Sequence, residues 1–148
     1  MTWQVEQIKD DCSAYDIGDL ARLLKQLTSR TLDTGESTLQ ESLSDGMSVV
    51  VRHRGGRIIG TASLHWNRLH TGLKGSIDDV VVDQEYRRQG IARAMIIHLL
   101  DQAKQKKIFR LSLTNNPDRH PGANLLYLSL GFELYETDVY RIVLSEVV

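Results

Sequence analysis

A chain of 148 residues, 41% of them apolar, can bury one core of ordinary size but not two, so a single domain spanning residues 1–148 is expected. Its 18 basic and 19 acidic side chains leave a formal net charge of −1, which excludes a global field that would gather nucleic acid or an anionic bilayer. No apolar run reaches the roughly 20 residues of a membrane helix, and Cys12 as the sole cysteine excludes an intramolecular disulfide or a zinc ribbon.

Trp3 to Ile8 alternates as a first strand. Charged residues from Glu6 to Asp16 break up any signal-like apolar run, so a cytoplasmic location is expected. Cys12 reads as a small buried hydrophobe rather than a nucleophile. Asp16 precedes Ile17, Leu20, Ala21, Leu24 and Leu27 at helical spacing, which predicts a capped amphipathic helix. A short second helix is predicted from Ser37, where Ser37 and Gln40 have capping-box spacing and Leu39 and Leu43 share a face.

Met47 to Arg52 is a strand pattern, Arg54-Gly55-Gly56-Arg57 supplies a turn able to take positive φ, and Ile58 to Trp66 returns as the second arm of a hairpin. Gly72 to Gly75 reads as another turn leading into Ser76–Val82, giving three antiparallel strands. Between Gly90 and Lys107, Ile91, Ala94, Met95, Leu99 and Ala103 share a helical face, and Lys104, Lys106 and Lys107 complement the C-terminal dipole. Phe109 to Leu113 is the next strand. Pro121, at the first helical position, and Gly131, just past Leu130, bracket another helix. Phe132 to Leu134 and Asp138 to Leu144 close the chain as β-structure. The order βααβββαβαββ contains a strand–helix–strand step around Gly90 that requires a parallel, right-handed crossover. The fold class is therefore α/β, with a mixed sheet flanked by helices.

The segment from Val82 to Ala92 joins a strand to the start of the longest helix. A helix start offers unpaired N–H groups and partial positive charge, and Gly90 with Ala92 leaves room for a phosphate at the main chain. Neither a P-loop nor a dinucleotide fingerprint is present. On spacing alone the segment is either an anion cradle or an ordinary turn with solvated Arg87 and Arg88. It resembles the R/Q-x-x-G-x-G/A signature of the GNAT superfamily of acetyl-coenzyme A dependent N-acyltransferases, with Arg87, Gly90 and Ala92 at the signature positions. Val82-x-x-Glu85-Tyr86-Arg87 is similar to the usual approach to that loop. Ala123-x-x-x-Tyr127-x-x-x-Gly131-Phe132 resembles the superfamily's later helix and strand. The element order is also similar to the superfamily fold, so the resemblance covers essentially the whole chain and implies a centrally splayed sheet.

Acetyl-coenzyme A is the co-substrate that this resemblance implies. Backbone amides of Arg88, Gln89, Gly90, Ile91 and Ala92 would hold its pyrophosphate, and main-chain groups of Val80 and Val82 would pair with its pantetheine arm. A bulge between Asp78 and Val82 would splay that strand from Phe109–Leu113 and free those groups. An N–H near Val80 or Val81 would polarise the thioester carbonyl. Tyr127 is the implied acid for the departing thiolate, a phenol of pKa about 10 against about 8.5 for a thiol; packing on its helix is the alternative role. Ile77-Asp78-Asp79-Val80-Val81-Val82 is similar to a stretch of the glucosamine-6-phosphate N-acetyltransferases, with Asp-Asp here in place of Glu-Asp. Asp78 and Asp79 are thus the candidate general bases. Adjacent strand residues face opposite ways, so only one can face the thioester; ending a strand or binding an Arg is the alternative for either.

His120 stands where the superfamily commonly has Asn, its role open between cofactor contact and local cap. Asn115 and Asn116 either line the cleft or form a turn. The other histidines, His53, His65, His70 and His98, lack ligand spacing, so no metal is expected. Lys104, Lys106, Lys107 and Arg110 form a solvated helix end or meet the adenosine 3′-phosphate. The expected activity is transfer of acetyl to a small primary amine or amino sugar, with no nucleic-acid or membrane partner. Its rivals are acetylation of a protein or peptide amine, a non-catalytic acyl-coenzyme A sensing module, and a peptide-binding sheet edge. Val139 to Leu144, an apolar terminal strand with an exposed edge, makes a homodimer the expected assembly.

Overall fold

Valine and isoleucine crowd the stretch from Met47 to Ile59, and such residues pack best on a pleated surface. The computed structural model describes residues 3–27, 36–116, 118 and 120–144. They fall into two compact units, the first ending at Leu113 and the second taking up the chain from Thr114.

In the first unit β1 (Trp3–Ile8), β2 (Met47–His53), β3 (Ile58–Leu69), β4 (Gly72–Val82) and β5 (Arg110–Ser112) form one sheet in that spatial order. The first four strands pair antiparallel, and β5 joins β4 in parallel. The helices are α1 (Ala14–Leu27), α2 (Glu36–Ser42) and α3 (Ile91–Gln105), with α3 as the crossover between β4 and β5. The mixed sheet with flanking helices is the predicted class. Ile17, Leu20 and Leu23 of α1, Leu39 of α2 and Leu43 just past it pack with Val50, Ile58 and Val81 into a buried cluster, against which Cys12 also packs. Val49 and Val51 alternate with Val50 and are fully buried on the other face. There α3 comes so close that a side chain at Gly60 would meet Ile91 and Met95 at 3.0 and 3.3 Å.

The predicted elements need several corrections. Ser13, not Asp16, starts α1: its Oγ accepts from the Asp16 amide at 3.1 Å. The Asp16 carboxylate is taken by Arg52, whose Nη1 and Nη2 each donate to it at 2.7 Å; Arg52 Nε donates to Glu6. Ser37 lies inside α2, and the Gln40 amide donates to the Asp10 carbonyl instead of closing a capping box. The hairpin at Arg54–Arg57 forms as expected, with His53 N–H donating to the Arg57 carbonyl at 2.9 Å. Gly72 to Gly75, however, is strand. Leu69 pairs with Gly72, so the reversal falls on His70 and Thr71, and the glycines serve close packing. A side chain at Gly75 would lie 2.8 Å from both the His65 carbonyl and Leu111 Cδ2.

The second unit holds α4 (Ala123–Ser129). Its N-cap is Gly122 at φ 86°, so Pro121 precedes the helix rather than opening it. Gly131, at φ 95°, ends it as predicted: Phe132 N–H donates to the Tyr127 carbonyl and Gly131 N–H to that of Leu128, both at 3.1 Å. Residues 132–134 and 138–144, predicted as β-structure, carry no strand. Alternating apolar residues make a strand only when a ladder partner takes their backbone groups, and within the second unit by itself no strand stands beside them. The terminal strand behind the homodimer expectation is thus not found within this unit.

Candidate active site

The sheet opens along β4. Thr61 pairs with Val81 but Ser63 with Asp78, so β4 carries an extra residue at Asp79–Val80, and this is the implied bulge. Asp79 takes φ 53° there, a left-handed conformation that aspartate tolerates better than most residues. On the other side β5 keeps register with β4 only as far as Ser76 and Ser112. From Ile77 to Val82, β4 therefore has one partner strand among the described residues, and alternate peptide groups face an open edge. Val80 and Val82 are half-buried there, while Val81 turns into the core.

Past β4 the chain makes a short 3-10 turn, Gln84–Tyr86. Its N-cap Asp83 is 3% exposed, and Asp83 Oδ1 accepts from the Glu85 amide at 3.2 Å. Arg87 folds back, Nε donating to the Val82 carbonyl at 3.2 Å. Arg88 at φ 64° and Gly90 at φ 80° are both left-handed. Gly90 is the N-cap of α3 and brings no side-chain acceptor; its carbonyl takes the Ala94 amide at 3.0 Å. The amides of Ile91 and Ala92 thus stand before the first intrahelical bond. A side chain built on Gly90 would meet nothing within 4 Å. Residues 87–90 are exposed, so this is a main-chain cradle open to an anion, and a diphosphate fits it.

The two aspartates part company. Asp79 lines a cleft with Leu20 and Leu24 of α1, Leu39 of α2, Leu43 just past it, and His65 of β3. Its carboxyl is pushed above the usual range by burial, then by Asp78, with His65 opposing. Asp78 instead accepts from Ser76 Oγ at 2.7 Å and lies 3.7 Å from His65 Nδ1. Asp79 is therefore the carboxylate that faces the cleft.

In the second unit Tyr127 packs edge-on against Phe132, ring centroids 6.1 Å apart, and burial raises its pKa. The Asn116 side chain accepts from the Asp118 amide at 3.0 Å, a turn-forming role. Asn115 is half-buried. The His120 carbonyl accepts from Ala123 N–H at 3.2 Å, so its backbone serves the helix start. Lys106 lies over the Trp66 ring at 4.8 Å. Among the described residues no three His, Cys, Asp or Glu gather as metal ligands, and no helix is long and apolar enough to cross a membrane.

Sequence reasoning missed Arg22, Asp83 and Arg52. Besides near neighbours, each has partners between 36 and 61 residues away, and no local spacing signals such a pair.

Comparison with known proteins agrees with this geometry. The chain is 34% identical over 84 residues to glucosamine 6-phosphate N-acetyltransferase of Trypanosoma brucei brucei, covering 55% of this chain and 54% of that one. It is 30% identical over 119 residues to mycothiol acetyltransferase of Thermobifida fusca (strain YX), covering 74% of this chain and 36% of that one. The chain thus spans about half of the first relative's length and about a third of the second's. The crystal structure of a Trypanosoma brucei acetyltransferase superposes with a TM-score of 0.76 at 25% identity, covering 95% of this chain and 99% of that one. The acetyltransferase (GNAT) family model matches residues 17–132. That span includes the bulged β4, the cradle and α3, and on it the chain belongs to the GNAT family of acetyltransferases.

Proposed function

We propose that this protein transfers the acetyl group of acetyl-coenzyme A to a small primary amine, an amino sugar included. The observation that carries the reading is the open edge of β4 running into the uncapped, glycine-started α3. An extended pantetheine arm can pair with such an edge, and a diphosphate can sit on such a helix start. Backbone amides from Arg88 to Ala92 would hold the diphosphate, and main-chain groups of Val80 and Val82 the arm, while an N–H near Val80 or Val81 polarises the thioester carbonyl. The amine nitrogen attacks that carbon and the C–S bond breaks. Asp79 takes the ammonium proton, its raised pKa making it a stronger base than a solvated aspartate. Tyr127 returns a proton to the departing thiolate; burial keeps its hydroxyl protonated at neutral pH. Asp78, held by Ser76, raises the Asp79 pKa by its like charge and so adds to the basicity of its neighbour.

The acceptor class draws support from the named relatives, one acting on glucosamine 6-phosphate. The reading also takes the enzyme to be cytoplasmic and metal-independent, while the oligomeric state, whose expected strand is not found, is to be read by sedimentation. Isothermal titration with coenzyme A, followed by an amine screen that monitors free thiol, tests the whole. Binding without thiol release from any amine would point to the non-catalytic sensing module, and no binding would remove the cofactor.

A further inference from the structure

The N-terminal helix does more than cover the sheet. Along one stripe of α1, Asp19, Arg22 and Gln26 stand one turn and two turns apart, and each reaches the chain entering the cradle or its neighbour strand. Asp19 Oδ2 accepts from the Ile58 amide at 3.0 Å. Arg22 Nη2 donates to the Ile58 carbonyl at 2.9 Å and Nη1 to Asp83 Oδ2 at 2.6 Å. Gln26 Oε1 accepts from the Gln84 amide at 3.1 Å. Asp83 passes the restraint on: its Oδ1 takes the Glu85 amide, its N–H donates to the Ile59 carbonyl at 2.8 Å and its carbonyl accepts from Tyr86. The four residues 83–86 are thereby tied one after another to α1, to β3 or to each other. Their fastening contrasts with residues 87–90 just beyond, which are exposed and include two left-handed backbones.

We propose that Asp19, Arg22, Gln26 and Asp83 form a positioning clamp that presets the diphosphate-binding amides of the cradle, so that α1 fixes how tightly the nucleotide end of the cofactor is held. The inference rests on the coenzyme A reading above. An array of amides binds an anion well only if its geometry exists beforehand, because ordering it on binding subtracts from affinity. A buried aspartate paired to arginine supplies that order, since Arg22 bridges a carboxylate and a carbonyl with its planar fork. The same helix lines the Asp79 cleft with Leu20 and Leu24, so one rigid element bears on both the cleft and the cradle.

Two variants test the clamp without removing the buried carboxylate. Gln26→Ala deletes only the hydrogen bond to the Gln84 amide, and Arg22→Lys keeps the charge but cannot bridge Asp83 and Ile58 together. Affinity for coenzyme A is read by calorimetry, affinity for pantetheine, which lacks the diphosphate, by NMR titration, and ligand-free amide exchange over residues 84–92 by mass spectrometry. The expected result is roughly 3- to 10-fold weaker coenzyme A binding in each variant, the scale of one lost hydrogen bond. Pantetheine affinity stays unchanged and exchange quickens over 84–92 alone. Unchanged coenzyme A affinity in both folded variants overturns the clamp. So does an equal loss for pantetheine, or faster exchange across the whole sheet, since either marks a general structural role. Failure of the wild-type protein to bind coenzyme A at all would instead overturn the cofactor reading, and this inference with it.

Discussion

At position 79 the fold keeps a carboxylate that is still solvent-accessible but set against the apolar lining of the cleft, where partial desolvation works against its charge. Its folded pKa lies above the unfolded value near 3.8, so the folded state holds the proton more tightly. The stability Asp79 contributes is complete below that unfolded value and is lost as pH rises through the raised folded one. Asp79→Asn, which also tolerates the left-handed backbone, should therefore match or exceed the wild-type melting temperature at neutral pH. Turnover should fall roughly 10²- to 10⁴-fold, the range of a lost general base, and its acid limb should flatten. A variant with wild-type rates across pH would return the base to solvent. Tyr127→Phe keeps the ring that packs on Phe132 and deletes only the hydroxyl. Turnover should drop on the order of 10²-fold with coenzyme A affinity unchanged, since the charge it meets develops only as the thiolate leaves. Lost affinity at equal turnover would make it a cofactor contact instead. Gly90 calls for a separate comparison. A Val there strains a left-handed backbone by about 1–2 kcal/mol and projects into space that nothing in the protein fills. Coenzyme A binding should weaken by more than about tenfold, or 1.4 kcal/mol, as calorimetry on the folded variant would show.

The elements differ in how plainly their residues announce them. The bounds of β1 and the hairpin of β2 and β3 follow from period-two alternation around a glycine turn, and α3 from apolar residues at period 3.6. These patterns are local, and local chemistry decides them. Gly72 and Gly75 mislead because a glycine that bends a turn and a glycine that admits a neighbour look alike in one dimension. Only packing against Phe109, Leu111 and the His65 carbonyl separates the two uses. The cradle was legible from Arg87 to Ala92, whereas its anchor was not, for Arg22 and Asp83 meet only once the sheet is built. Of the paired aspartates, the bulge alone decides which one faces the cleft. Gly75→Ala tests the packing role at this scale. A methyl 2.8 Å from a backbone carbonyl in mid-strand cannot be relieved by a side-chain rotation, and β5 holds β4 through three residues. Overpacking of this kind costs about 1–3 kcal/mol, and a lower denaturation midpoint is expected. An unchanged midpoint would mean that β5 can move away freely.

At the scale of the molecule, three ion pairs centred on two arginines join segments distant in sequence and give the fold its acid sensitivity. Arg52 of β2 holds Asp16 of α1 and Glu6 of β1, while Arg22 of α1 holds Asp83 beyond β4. Hydrogen bonding to Arg52 is the main reason Asp16 titrates below its ordinary value. For Asp83 burial alone would raise the pKa, but the Arg22 guanidinium and the Glu85 amide outweigh it and the net shift is downward. Both carboxylates thus have folded values below an unfolded value near 3.8. Their contribution is complete above that value, where both states are ionised, and is lost as pH falls through the lower folded values, because the unfolded chain takes up protons first. Apart from the small gain that Asp79 returns as pH falls through its raised pKa, the melting temperature should change little from neutral pH down to about 4, then fall steeply. Asp16→Asn should melt lower at pH 7 yet show a shallower decline below pH 4, as one proton-linked site is gone. Breaking the Asp83 pair by Asp83→Asn should cost more than Asp16→Asn, because Asp83 is almost wholly enclosed, although Asp19, 3.8 Å from Arg22, keeps part of the arginine's charge compensated. Added salt should narrow the gap between wild type and Asp16→Asn only slightly, since side chains 14% and 25% exposed are poorly screened. Parallel acid limbs in wild type and Asp16→Asn would show that other carboxylates govern acid unfolding, and that the bond between β2 and α1 is incidental to it.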